Sequence, residues 1–364
     1  MSKRYYSLGL MSGTSGDGVD ASVIESDGVD QIRLCENNYY PYPSNISDEI
    51  YRIKEKIENS NDLIRFSDEI DFLAGKITNF HASTANEMLE NIKVDIIGFH
   101  GQTIFHNPKE KISKQIGWGK KLSNLTKKIV VYDFRQNDLK NGGEGAPLTP
   151  IFHKLLVKIF AKRKKIKFPV TILNIGGIAN ITSINKNYEM LSMDIGPGNC
   201  LIDKWIRLNT DKSFDEKGAI ARSGKIDKFI LEQSIDNFYY NKISQKKSFD
   251  INDFNLSFAR GLTLENGAAT LTEFTANILS KKILDNEVYV CGGGRKNKFL
   301  IELIEKKINN KIKLIDDLDI NGDFIESQAF AYLAIRSYLK LPISFPETTG
   351  CKIPCTGGVI VKNF

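Results

Sequence analysis

The stretch LMSGTSGDGVD, residues 10–20, decides how the rest of the chain reads. A short apolar run, Tyr5 to Met11, delivers the backbone into Gly13, Gly16 and Gly18, with Ser12, Thr14 and Ser15 between them. Glycines there admit positive φ and let amide N–H groups approach an anion closely, and the hydroxyls add donors. A plain hairpin needs fewer glycines than this. Asp17 in the same turn would repel a bare phosphate, so it suits a hydrated Mg²⁺ or an oriented water. No Lys follows a glycine at the place a Walker A loop requires, and the spacing is not the Rossmann GxGxxG. By itself the segment is an anion-binding turn.

Around it the apolar pattern lays out two halves. A second strand is expected near Ala21 to Glu25 and a third near Ile32 to Cys35, making a meander. Phe66, Ile70, Leu73, Ile77 and Phe80 fall on one face of a long helix. The strand Val94 to Phe99 then runs into HGQT, and Ile129 to Phe134 is another short β-like run. The second half repeats the theme with Val170 to Ile175, ending in Gly176-Gly177, then Ile178 to Ile184 and Tyr188 to Met193. A helix near Leu264 to Leu284, the strand Val288 to Cys291, a glycine triplet, a helix from Lys296 and a last helix near Glu326 to Leu339 follow. No short period repeats, so this is a duplicated architecture and not a solenoid. The expectation is an α/β fold of two lobes facing each other across a cleft, with ligands at the strand ends. Residues 1–133 would form the N-terminal lobe, with a tail from about 340 to 364 packing back on it, and 134–339 the C-terminal lobe.

Bulk composition fits this. At 364 residues a single core is not expected, and 41% hydrophobic with 26% charged residues is ordinary for a folded soluble chain. The net charge of +6, from 50 basic and 44 acidic residues, is small and gives no nucleic-acid footprint. The basic run Lys162 to Lys167 reads as a solvated linker. Five scattered cysteines are no disulfide framework. Cys351 and Cys355 make half a metal site, but no second Cys/His pair stands at finger spacing and the four histidines are dispersed, so no structural zinc is expected. No signal-peptide h-region or membrane-spanning run follows Lys3 and Arg4, so the cytoplasm, where thiols stay reduced, is the expected compartment.

Three more glycine elements add to the first. NIGGIANIT (174–182) puts a glycine pair at a strand end, MDIGPGN (193–199) follows a carboxylate, Asp194, with a Gly-Pro-Gly turn, and VYVCGGGRKN (288–297) is strand, triple glycine, helix start. The last suits close approach of a nucleoside or phosphate to a helix N-terminus. Asp194 reads either as a catalytic carboxylate or as a helix N-cap.

Together with GFHGQTIFH (98–106), DFRQNDLKNGGEGAPLTP (133–150), MDIGPGNCLID (193–203), ESQAFAYLA (326–334) and a TGC-type tail (349–351), these motifs stand in one order along nearly the whole chain. In that order the chain resembles the anhydro-N-acetylmuramic acid kinases. The resemblance implies the two-lobed actin-like/hexokinase-like ATPase fold, MgATP as phosphoryl donor and 1,6-anhydro-N-acetylmuramic acid as substrate. Such enzymes open the anhydro ring with water while phosphorylating O6, giving N-acetylmuramic acid 6-phosphate in cell-wall recycling.

By the same resemblance Asp194 is the base that deprotonates the attacking water. Gly13, Thr14, Ser15, Gly16, Asp17, Gly18, Val19 and Asp20 bind the nucleotide phosphates, with Mg²⁺ held through those phosphates and Asp17 the candidate carboxylate beside it. Gly176, Gly177, Gly292, Gly293, Gly294 and Asn297 complete the ATP site. Arg135 meets the lactyl carboxylate of the sugar. His100, Gln102 and Thr103 suit sugar hydroxyls, although His100 serves equally as a core histidine, and Glu326 joins them or simply complements its helix dipole. The expected partners are the sugar and ATP, with no nucleic acid and no membrane, and a homodimer is compatible. The chain departs from the family pattern at Ile195, where a Thr is usual, at Glu144, where a Gln is common, and around Lys246 to Ser248, where no Pro-Pro precedes Lys-Ser. A sugar-binding sensor of the same fold without turnover is the competing reading. Retention of Asp194 argues against it.

Overall fold

The computed structural model describes residues 3–13, 15–163, 166–240, 248–285 and 287–364. Two compact units emerge, one from residues 1–159 and 324–364, the other from 160–323. In chain order the strands are β1 (Tyr5–Ser12), β2 (Gly18–Ser26), β3 (Ile32–Pro41), β4 (Ile96–Asn107), β5 (Ile112–Ile116) and β6 (Ile129–Tyr132). Then come β7 (Val170–Ile175), β8 (Ile178–Ile184), β9 (Met190–Pro197), β10 (Glu287–Cys291), β11 (Ile312–Leu314) and β12 (Val359–Val361).

In the first unit the sheet order is β12-β6-β4-β1-β2-β3, with β5 paired to β4. Strands β1, β2 and β3 form an antiparallel meander, while β1, β4 and β6 run parallel. In the second unit the order is β11-β10-β7-β8-β9, again a meander (β7, β8, β9) flanked by parallel strands (β10, β11). Each unit thus places its third, second, first, fourth and fifth principal strands in that spatial order.

Both faces of the first sheet are covered. Leu8, Leu10, Val19 and Val23 point into a core with Ile70, Leu73 and Ile77 of the helix Ser67–Asn91. The helical spacing of those three residues is what buries that face. Removing one side chain, as in Leu73→Ala, costs about 2–5 kcal/mol at such a site. On the other face Gly9 of β1 lies beside Gly98 of β4. A Cβ at Gly9 would fall on the Ser327 carbonyl and one at Gly98 on the Phe330 carbonyl. The missing side chains let the helix Ile325–Tyr338 rest its backbone directly on the sheet.

In the second unit Leu173, Ile175, Ala179 and Ile181 pack with Ala276, Leu279, Leu300 and Ile304. The helix Leu264–Ser280 starts at Thr263, whose hydroxyl accepts the Asn266 N–H at 3.3 Å. Its outer side meets Trp205, whose indole N–H donates to the Leu264 carbonyl at 2.9 Å.

Several expectations shift. The segments 134–159 and 324–339 group with the first unit, so the second unit spans 160–323 where 134–339 was expected. The Ile325–Tyr338 helix belongs there because its bed is the glycine pair on β1 and β4. The strand expected to stop at Phe99 continues through HGQT to Asn107, since β5 pairs with its second half. The expected strand Tyr188 to Met193 is displaced to Met190–Pro197, and the helix expected from Lys296 begins at Lys298, after a short 3₁₀ turn. Two expectations fall partly outside the described residues: the basic run at 164–165 and the Lys246 to Ser248 stretch at 246–247.

Candidate functional site

In the first unit the turn 13–17 joins β1 to β2, and Gln102 of β4 stands beside its start. The Ser12 hydroxyl donates to Gln102 Oε1 at 2.6 Å, and Gln102 Nε2 donates to the Gly13 carbonyl at 2.9 Å. Gln102 has no exposed surface. It lies under the turn and holds it. Val19 is likewise core, and Thr14 lies outside the described residues. Asp17 is exposed and accepts from the Ser15 hydroxyl at 2.6 Å. Tyr39 reports on the charge here: burial first, then the Asp17 and Asp20 carboxylates, push its phenol pKa up.

The pairing of β1 with β4 slips between Leu10 and Met11, leaving His100 as the extra residue. Such bulges re-aim a side chain. His100 Nδ1 sits 2.8 Å from the Gly101 carbonyl, and Arg135 Nη2 is 3.0 Å from His100 Nε2. A carbonyl only accepts, so Nδ1 carries the proton and Nε2 accepts from the guanidinium. Burial and then the Arg135 charge hold the His100 pKa well below its ordinary value, which agrees with a neutral ring. Arg135 Nη1 donates to the Gly145 carbonyl at 2.8 Å. Gly145 is in turn fixed by Asp138, whose Oδ2 accepts its N–H at 2.7 Å. A Cβ at Gly143 would overlap that carboxylate, and Gly142 and Gly145 stand at φ +84° and +74°, which together explain the glycines of GGEGAPL. Thr103 is half-buried, its hydroxyl accepting from Gln115 at 3.1 Å, and Glu326 lies in the first turn of the helix Ile325–Tyr338.

In the second unit Asp194 sits near the end of β9, 9% exposed, with Oδ2 accepting the Phe249 N–H at 2.9 Å. Here too the register slips: Asn180 pairs with Asp194 but Ala179 with Gly196, so Ile195 is the bulged residue. Its side chain is buried in the core, so the departure at this position adds apolar packing. Gly176 and Gly177 follow β7, and their carbonyls accept the N–H groups of Asn199, Gly198 and Cys200 at 2.8, 2.9 and 3.2 Å. The Gly292–Gly294 turn lies at the end of the adjacent strand β10 and packs on Asn174 and Ile175. Asn297 serves as a cap: its Oδ1 accepts the Leu300 N–H at 3.0 Å.

Gly16 and Gly292 need positive φ, and a Cβ at Gly18 or Gly294 would collide with neighbouring groups. Gly13, Gly176 and Gly293 are different. A Cβ there would meet nothing closer than 3.8 Å, 3.5 Å and nothing within 4 Å, respectively. The fold does not require glycine at these three positions, yet each lies in a turn expected to approach phosphate or nucleoside.

Three contributors carried no role in the sequence reading: Phe249, Asp138 and Arg295. Asp138 and Arg295 stand inside motifs that were quoted, DFRQND and CGGGRKN, so position was the available signal. Phe249 acts through its backbone, which leaves no signal at all.

Two sheets of one strand order, each with a glycine turn at the end of its first strand, make the duplicated actin-like ATPase fold. Residues 4–363 match the family described as anhydro-N-acetylmuramic acid kinase. The chain is 53% identical to the anhydro-N-acetylmuramic acid kinase of Pelagibacter ubique (strain HTCC1062), covering 100% of both chains. It is 36% identical to that of Zymomonas mobilis subsp. mobilis, covering 97% of this chain and 98% of the relative. It is 38% identical to that of Methylorubrum extorquens, over the same shares of 97% and 98%. The chain belongs to the anhydro-N-acetylmuramic acid kinase family.

Proposed function

We propose that this chain uses ATP to open 1,6-anhydro-N-acetylmuramic acid with water and to phosphorylate O6, giving N-acetylmuramic acid 6-phosphate and ADP in cell-wall recycling. Membership of the family supports the activity, and the placement of Asp194 carries the reading of its chemistry. A carboxylate near the end of a bulged strand, fixed by a backbone N–H and still reachable by solvent, suits a general base. Water adds to C1 as Asp194 takes its proton. The C1–O6 electrons pass to O6, which attacks the γ-phosphorus and displaces ADP. The protein mainly supplies alignment and charge neutralisation.

Arg135 takes the lactyl carboxylate, with His100 as its orienting acceptor, and Thr103 and Glu326 are assigned to the sugar. Gly13 to Asp20, Gly176-Gly177 and Gly292 to Gly294 are assigned to the nucleotide, the open positions Gly13, Gly176 and Gly293 leaving room for it. The Asp17 and Asp20 carboxylates, both near the Tyr39 phenol, are the hard oxygen donors that a Mg²⁺ on the phosphates takes. That ion would neutralise charge on the transferred phosphoryl group. Among the described residues no helix is long and apolar enough to cross a membrane. We assign the activity to the cytoplasm, with the sugar and ATP as partners, no nucleic acid, and a homodimer as the assembly to test.

Purified protein with MgATP and the anhydro-sugar in ¹⁸O-water should yield ADP and a 6-phosphorylated muramic acid carrying one solvent oxygen at C1. ADP release with ordinary hexoses alone would refute the substrate. Sugar binding without ADP release would favour the sensor reading. Gly293→Ala tests the nucleotide assignment: with no neighbour to meet, the variant should fold as the wild type does, while KM for ATP rises about tenfold.

A further inference from the structure

The TGC-type tail and the DFRQND segment meet in the first unit at a cluster that the kinase chemistry does not use. Cys351, Cys355 and Asp138 are 2%, 7% and 1% exposed. One carboxylate oxygen and the two sulfurs all lie within 4.8 Å of one another. Cys355 Sγ is 3.9 Å from Asp138 Oδ1 and 3.2 Å from Ser344 Oγ. The sequence offered only the cysteine pair. The third group comes from a segment more than two hundred residues earlier, which no spacing rule could show.

We propose that Asp138, Cys351 and Cys355 form a binding site for a thiophilic divalent cation of the zinc type. The backbone prepares it. Ser344 and Cys355 exchange backbone hydrogen bonds at 3.1 and 3.2 Å, and Gly350, at φ +76°, turns the chain so that Cys351 comes back to the same place. Among the described residues Asp138 has no ion-pair partner. Its charge is met by neutral donors, the Gly145 N–H and the Thr349 hydroxyl, the latter at 2.6 Å from Oδ1. A buried carboxylate without a cation is costly.

Uptake adds no net charge: the ion brings two positive charges, and the Cys351 and Cys355 thiols release two protons. A monovalent ion would leave the buried site one charge more negative, which favours the divalent class. Thiolate sulfur selects zinc over magnesium or calcium. Ligand atoms around a tetrahedral zinc stand about 3.5–3.8 Å apart, so the present cluster needs to close by about 1 Å or less. Ser344 Oγ is the neighbouring oxygen for the fourth position. Both thiols must lose a proton to bind the ion, so proton competition should weaken uptake as pH falls. Because Asp138 also fixes Gly145, the ion would tie the tail to the loop that supports Arg135.

The reduced full-length protein, incubated with Zn²⁺ or Cd²⁺ and desalted, should retain about one equivalent, with thiolate–cadmium absorption in the ultraviolet. The Cys351→Ser/Cys355→Ser double variant should retain none. Should that variant fail to fold, alkylation of the wild type decides: Zn²⁺ should slow modification of Cys351 and Cys355 about tenfold or more, and leave Cys35 and Cys200 unchanged. Retention equal in wild type and variant, no retention in either, or no protection of the pair overturns the proposal. So does a Cys351–Cys355 disulfide that persists under reductant.

Discussion

Replacing Arg295 by Met should weaken the second unit and its glycine turn together. The side chain is 7% exposed and grips two carboxylates. Nε and Nη2 donate to Asp316 Oδ2 and Oδ1 at 2.8 and 3.1 Å, and Nη1 donates to Asp323 Oδ1 at 2.6 Å and to the Gly292 carbonyl at 3.2 Å. Gly292 also donates its N–H to the Gly322 carbonyl at 3.0 Å, so one side chain ties the 316–323 segment to the Gly292–Gly294 turn. Breaking a fully buried pair costs about 3–5 kcal/mol. The Asp316 and Asp323 side chains keep 36% and 30% exposure, so they regain water when the arginine is gone. The expected loss is therefore about 2–3 kcal/mol, or a Tm fall of roughly 6–9 °C for a unit of this size. Burial pushes both carboxyls upward in pKa, and the hydrogen bonds and charge of Arg295 outweigh it and hold them below the ordinary value. A depressed folded pKa stabilises above the unfolded value and loses that stabilisation as pH falls through the folded one. Urea titrations should thus show the full gap between wild type and variant above about pH 5 and a narrowing gap below about pH 4. KM for ATP should rise more than kcat falls. A variant within about 0.5 kcal/mol of wild type, or a gap that widens in acid, would refute the reasoning.

Asp194→Asn keeps an oxygen for the Phe249 N–H, so stability should stay within about 1 kcal/mol while turnover drops about 10²–10⁴-fold. Near-normal turnover with both ligands bound would remove Asp194 from the base role. Arg135→Lys cannot donate to Gly145 and His100 in the same fork, so KM for the sugar should rise about tenfold or more with KM for ATP unchanged. Gly98→Ala should unfold or severely destabilise the first unit, since its Cβ meets the Phe330 carbonyl; a soluble variant with an unchanged melting curve would contradict the packing described.

The sequence carried the periodic elements well and the partnerships poorly. β7 and β8 match their apolar runs to the residue, because nothing but hydrophobic patterning is needed to see them. β4 ran past its expected end because Gly101 and the polar residues around it look like a turn, and only the pairing with β5 reveals a strand. The second unit was drawn too long at both ends because a sequence does not show which sheet a helix covers. At the site, residue type marked the candidates but not their protein partners: Gln102 braces the Gly13 turn, His100 orients Arg135, and Asn297 caps a helix. Asp194 was legible through its motif, whereas the backbone donor that fixes it belongs to no pattern.

The bare glycine pair on β1 and β4 also has a consequence for synthesis on the ribosome. Gly9 and Gly98 are made before the helix that lies on them, Ile325–Tyr338, which follows Gly98 by more than two hundred residues. The second unit, continuous from 160 to 323, is translated whole in between. Nascent chains must therefore carry an uncovered sheet face while those residues are made, and a chain arrested before residue 325 retains that face as a binding surface for chaperones.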